Sequence, residues 1–121
     1  HVLLVSYLIS ERAFDDPNYD PFPEAIYIHD NQYSGGGSQP DSEPLAMLQA
    51  ATGQAVPNIV WDGMVSSGKA AADILCLQES DDISFVNLDA MNGFASPSFD
   101  ASAHDCTMPP LSVISLSATA N

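Results

Sequence analysis

Apolar positions in this chain fall in short clusters, separated by long polar, proline-rich or glycine-rich stretches. Val2 to Leu8, "VLLVSYL", is a nearly unbroken apolar run. Its length and β-branched content predict a strand buried on both faces or lying at a sheet centre. Glu11 to Pro23 holds three prolines, four acids and three aromatics. Proline fixes φ and removes a backbone donor, so an ordered loop is expected there. Ala25 to His29 is a second predicted strand, with Ile26 and Ile28 on one face and Tyr27 and His29 on the other. Asn31 and "SGGGSQPD" form a long turn, where Gly35, Gly36 and Gly37 tolerate positive φ.

"DSEPLAMLQAATG" is the one clear helix. Asp41 or Ser42 caps it, Pro44 suits its first turn, and Gly53 suits the position after its end. Leu45, Leu48, Ala51 and Met47 supply its apolar face. Further strands are predicted around Ile59 to Trp61 (ended by Asp62–Gly63), over Asp73 to Gln78, with Ile74 and Cys76 on one face, and over Ile83 to Leu88. From Asp89 onward the chain is rich in Ser, Pro, Ala and Asn and reads as extended coil. The last stretch, "SVISLSATAN", is a candidate for one edge strand or for a frayed end.

Strand, long excursion, strand, without tight hairpin signals or sandwich spacing, predicts a mainly β fold. A coil of a parallel β-helix with insertions in its turns has this pattern. Asn31 and Asn87, at strand ends, suit the polar corners of such a coil.

Composition narrows the partners. The chain has 121 residues and a net charge of −14, with 16 Asp and Glu against Arg12 and Lys69. One domain fits this length. Nucleic acid is a poor partner and an anionic membrane surface is disfavoured, because there is no phosphate-neutralising cluster. Cationic partners, divalent metals and neutral glycans remain open. No apolar run approaches the roughly 18 residues of a membrane span. With neither an initiating Met nor a signal peptide, the chain is expected to be a mature product or a fragment of something longer. Cys76 and Cys106 form no Cys-x-x-Cys pair, leaving one disulfide or two buried thiols. The scarcity of lysine and the exposed setting of Cys106 favour an extracytoplasmic disulfide, which would stabilise by about 3–4 kcal/mol.

The ordered set "VLLVSYL…DDPNYDPFPEAIYIHDNQYSGGG", "VPNIVWDG" and "LCLQESDDISFVNLDAMNGFASPSFDASAHDCTMPPL" resembles the C-terminal part of a bacterial family, the secreted right-handed parallel β-helix repeat-containing proteins. The resemblance covers nearly the whole chain. It implies the terminal coils of a right-handed parallel β-helix, with one short helix and a long irregular C-terminal segment. Residues 1–37 would be the last coils with a Pro-rich insertion, 38–72 the helix and its connection, and 73–121 a disulfide-tied cap. It also implies export, and genetic neighbourhood to c-type cytochrome-like proteins. No catalytic residue is carried over.

Candidate chemistry is sparse. His29 and Asp30 are adjacent, so in a strand they point to opposite faces and do not share one ion. His1 with its amino group and His29 or His104 could build a copper brace only if His1 were a processed terminus. Asp16, Asn18 and Asp20 alternate like the start of a calcium loop, but Pro21 and Tyr27 stand where an EF-hand needs Gly and Glu. Turn formation is the ordinary role of such residues. Tyr19, Phe22, Tyr33 and Trp61 are candidate glycan contacts, against packing as the commoner role.

The preferred reading is a non-enzymatic C-terminal capping or binding region of a secreted, extracytoplasmic β-helix protein, covering its open end. Its partners would be upstream coils of a longer chain or copies of itself, with a glycan or a c-type cytochrome-like protein as further candidates. The alternatives are part of a polysaccharide-active β-helix enzyme with its catalytic groups upstream, and a self-associating extracellular module. No cofactor is expected apart from calcium at the Asp16 loop.

Overall fold

A computed structural model describes residues 1–10, 13–34, 39 and 42–113 of the chain. Among these residues there are five strands and two helices, in the order β1 (Val2–Leu4), β2 (Ile26–His29), α1 (Glu43–Thr52), β3 (Ile59–Trp61), α2 (Ala71–Ile74), β4 (Leu75–Gln78) and β5 (Phe85–Asn87). Three 3-10 turns, at Tyr7–Ser10, Ala90–Asn92 and Ser102–His104, complete the regular structure. The strands form two parallel sheets, one ordered β1-β3-β5 and one β2-β4. In the first, Val2, Ile59 and Phe85 stand in one row and Leu4, Trp61 and Asn87 in another. In the second, Ile26 pairs with Leu75 and Ile28 with Leu77.

This corrects the expected architecture. The chain does not form the terminal coils of a right-handed parallel β-helix. It forms two small parallel sheets with two helices, a small mixed α/β fold. The physical reason is the sequence between the apolar clusters. Proline, glycine and helix-forming stretches confine each strand to three or four residues. The first apolar run is a strand only over Val2–Leu4, and it lies at a sheet edge rather than at the centre. The expected strand from Asp73 begins at Leu75, because Asp73 Oδ2 accepts the Ala70 N–H at 2.8 Å and starts a helical turn. The inward residues of β4 are therefore Leu75 and Leu77, while Ile74 is buried from α2.

Two apolar cores result. The larger lies between the sheets and gathers Leu4, Ile59, Trp61 and Phe85 from one and Ile28, Leu75 and Leu77 from the other. The smaller lies on the outer side of the three-stranded sheet, where Val60 and Val86 meet Val56, with Leu45 and Leu48 of α1 and Leu88 packed against them. Strand alternation sends successive residues to opposite faces, so β3 and β5 feed both cores. A ten-residue helix is marginal alone, and this docking holds α1 in place. Gly53 ends α1 at φ +67, its N–H donating to Gln49 O. Ser42 occupies the N-cap position without a side-chain bond, and Asp41 lies outside the described residues. So do the triple glycine, Arg12 and most of the C-terminal edge-strand candidate.

Asp62 ties the end of the three-stranded sheet together. It is fully buried, and its Oδ2 accepts the Ser6 N–H at 2.5 Å while Oδ1 accepts the Met64 N–H at 2.9 Å. Its backbone N–H donates to Leu4 O, and its carbonyl accepts the Ala90 N–H. The next residue, Gly63, has φ +80, and a Cβ there would sit 2.2 Å from Asn87 Oδ1, so only glycine fits.

The C-terminal segment closes one edge of each sheet. Asn87 exchanges two backbone hydrogen bonds with Ser98, covering β5. Asp105 bridges Leu77 in parallel, the Cys106 N–H donates to Leu77 O, and a disulfide joins Cys76 to Cys106. His104 is buried beneath this strap, its Nδ1–H donating to Leu75 O at 3.3 Å and its ring set edge-on to Trp61. The opposite edges, β1 and β2, pair with no described strand.

Candidate functional site

The residue that defines the candidate site is Leu3. Its neighbours anchor β1 to β3: the Val2 N–H donates to Asn58 O, and Leu4 O accepts the Asp62 N–H. In a parallel ladder the intervening residue turns its N–H and C=O the other way. Leu3 therefore presents both groups at the open edge. Its side chain, 48% exposed, points to the outer face in the row of Val60.

That outer face is only partly covered by α1, and the remainder is an apolar groove of about 860 Å³. Val60 and Leu88 lie at its base, and Leu45 and Leu48 of α1 flank it. Phe94 and Phe99 also line it, from the segment after β5, and Leu3 and Val5 lead from it to the sheet edge. Met47, Phe94 and Phe99 are all more than 40% exposed. Phe94 has φ +63, a left-handed conformation that costs a bulky residue free energy. Its N–H donates to Asp89 O at 2.9 Å, and Asp89, also left-handed, accepts the Ser96 N–H on Oδ2. This small hydrogen-bonded turn fixes Phe94 in place.

The other sequence candidates fall elsewhere. Asp16 Oδ1 accepts the Asn18 N–H at 2.8 Å and Asp20 Oδ1 accepts the Phe22 N–H at 3.0 Å, so both shape turns. Among the described residues, no three His, Cys, Asp or Glu side chains converge as a metal-holding group. His29 and Asp30 do not part to opposite faces as expected. Asp30 leaves the strand at φ +53, and His29 Nδ1 lies 2.9 Å from its Oδ2 on the surface. Tyr27 stacks on the same imidazole and donates to Gln78 Oε1. His1 Nδ1–H donates to Pro57 O at 2.8 Å.

The four glycan candidates do not share a surface. Trp61 is 1% exposed, a core residue whose Nε1 has no partner among the described residues. Burial follows from its place between Leu4 and Asn87 in the inward row. Tyr19 packs edge-on against Tyr7 and Phe14. Phe22 joins Tyr19 in a hollow with Pro21 and Pro23. Tyr33 stands apart, packed partly on the main core, with its hydroxyl donating to Glu79 Oε1 at 3.3 Å. Partial burial, with the Glu79 charge and hydrogen bond, raises its phenol pKa.

Comparison with known proteins found no matching family model, no matching curated protein and no matching solved structure. Among the described residues no helix is long and apolar enough to cross a membrane. Sequence reading missed the groove because its parts lie far apart along the chain. The exposed Leu3, Met47, Phe94 and Phe99 were a signal only once folding placed them on one face.

Proposed function

We propose that the chain is a non-enzymatic binding region of a secreted, extracytoplasmic protein, which takes an extended strand of a partner polypeptide onto the open edge of β1. The observation that carries this reading is Leu3, whose backbone groups have no partner among the described residues and whose half-exposed side chain joins that edge to an apolar groove. Strand addition draws affinity from main-chain bonds and specificity from pockets for alternate side chains. A contiguous apolar patch of this kind is uncommon on a lone domain. The left-handed Phe94 supports the same reading, since backbone strain persists where a side chain must be held in place.

Charge selects the partner. A net charge of −14 makes a second copy repulsive and favours a strand with basic flanks. The Cys76–Cys106 disulfide supports an oxidising compartment. The resemblance of the ordered segments to the C-terminal part of a secreted bacterial family supports the same setting.

Selection of a random-peptide library against the immobilised chain tests this function. Enriched peptides are expected to alternate apolar residues between basic flanks and to shift the amide resonances of Val2 to Val5 and Phe94. Leu3→Asp and Phe94→Gly are expected to lose them, without a lower unfolding midpoint for Phe94→Gly, because glycine relieves the strain. Failure to enrich such peptides, or binding that survives both substitutions, overturns the proposal.

A further inference from the structure

Two contiguous hollows, of about 450 and 420 Å³, share Tyr33, Ser34 and Asn58. None of their lining residues lines the apolar groove. Each volume lies within the range of small-molecule sites. Because Tyr33 borders both, they suit one elongated ligand better than two compact ones.

Their chemistry is that of neutral hydrogen bonding. Asn31, Gln32 and Ser80 line one hollow and Gln54 and Ser84 the other, with Ser34 and Asn58 common to both. Among the described residues Asp82 is the one carboxylate of the lining, and no Lys or Arg lines either hollow. The described cation, Lys69, lies 3.6 Å from Glu24 instead. An anionic ligand would meet repulsion there with nothing to offset it.

The polar groups are held in place before any ligand arrives. Glu79 accepts the Asn31 N–H at 3.0 Å, the Asn31 side-chain amide at 2.6 Å and the Tyr33 hydroxyl. Asn58 Oδ1 accepts both the Ser84 N–H, at 3.1 Å, and the Ser84 hydroxyl, at 2.8 Å. Asn31 Nδ2 is spent on Glu79 and on His29 O, which leaves its Oδ1 as an acceptor. Asn58 Nδ2 likewise keeps both donors without a partner among the described residues. A fixed acceptor, a fixed pair of donors and a tyrosine between two hollows match a chain of hydroxyl-bearing rings with apolar faces.

We propose that the paired hollows on either side of Tyr33 bind a neutral oligosaccharide chain. Preorganised amides lower the ordering cost of such binding. On this proposal Tyr33, of the four candidate aromatics, makes the glycan contact.

Titration of the full chain with cello-, manno- and N-acetylchito-oligosaccharides, with oligogalacturonate as the acidic comparison, tests the proposal by calorimetry and amide chemical shifts. At least one neutral oligomer is expected to bind and to shift Asn31, Ser34, Asn58 and Ser84. Tyr33→Ala should weaken that binding about tenfold or more. Ser34→Trp alters only an exposed residue common to both hollows and should abolish binding with the fold intact, which keeps the test decisive if Tyr33→Ala is unstable. Tyr19→Ala should bind as the parent does. No binding by any neutral oligomer, equal or tighter binding of oligogalacturonate, or unchanged binding by Ser34→Trp overturns the proposal.

Discussion

At the residue scale, His104 and Asp62 show how burial turns an ordinary side chain into a sensitive one. His104 is 4% exposed, between the rings of Trp61 and Phe85, and desolvation lowers its pKa more than the Leu75 carbonyl and the Asp105 charge raise it. The unfolded chain therefore binds that proton more readily than the folded one. The stability contributed by the neutral ring is complete above the ordinary imidazole value and is lost as pH falls toward the depressed one. Urea midpoints are expected to drop between about pH 7 and pH 5, and His104→Leu should flatten that part of the profile. Asp62→Ala removes the acceptor of two backbone N–H groups, Ser6 in the interior and Met64 half-buried. It is expected to cost about 3 kcal/mol, read as a shift in the urea midpoint with an unchanged slope. Trp61 illustrates the opposite lesson. In sequence it is a candidate glycan contact with packing as its commoner role, and the inward row of β3 buries it.

At the element scale, the two edges of each sheet are treated differently. An open strand edge invites pairing, and proteins usually cover it. Here the C-terminal segment covers β5 through Ser98 and β4 through Asp105, with the disulfide holding the second closure. The two cysteines are 30 residues apart, so replacing both with serine is expected to cost about 3–4 kcal/mol. Hydrogen exchange should then quicken first at the Cys106 amide, which donates to Leu77 O. Faster exchange in β1 before Cys106 would contradict that role for the bridge. Among the described residues the β1 edge has no such cover, and Leu3 and Val5 stay exposed beside it. Much of this level was legible in sequence. The bounds of α1 followed from Pro44 and Gly53, and the inward face of β2 from Ile26 and Ile28. The turn of α2 was not, because it depends on a single Asp73 side chain reaching back to the Ala70 N–H.

At the scale of the whole molecule, charge and apolar surface oppose each other. The exposed groove favours association, while 16 acids against two bases disfavour association with a copy. Sedimentation velocity is expected to find a monomer at low ionic strength. Association should grow as salt screens the repulsion, and Leu3→Asp should suppress it. A salt-independent dimer would show that charge does not govern partner choice. The apolar groove beside β1 and the polar hollows around Tyr33 share no lining residue, so the polypeptide and the glycan proposed for them are expected not to compete.

The sequence by itself determined the local features: where the apolar clusters lie, the limits of α1, the acidic composition and the pool of two cysteines. Each rests on neighbours a few residues away, through strand alternation, helix capping and proline geometry. Tertiary structure alone decided which strands meet and which edge is left open. Ser6 and Asp62 are 56 residues apart, and no local pattern encodes such a contact. The same distance explains the architecture that sequence missed. Parallel strands separated by long excursions fit both an extended solenoid and two small sheets, and packing between Ile28, Leu77, Trp61 and Phe85 selected the second.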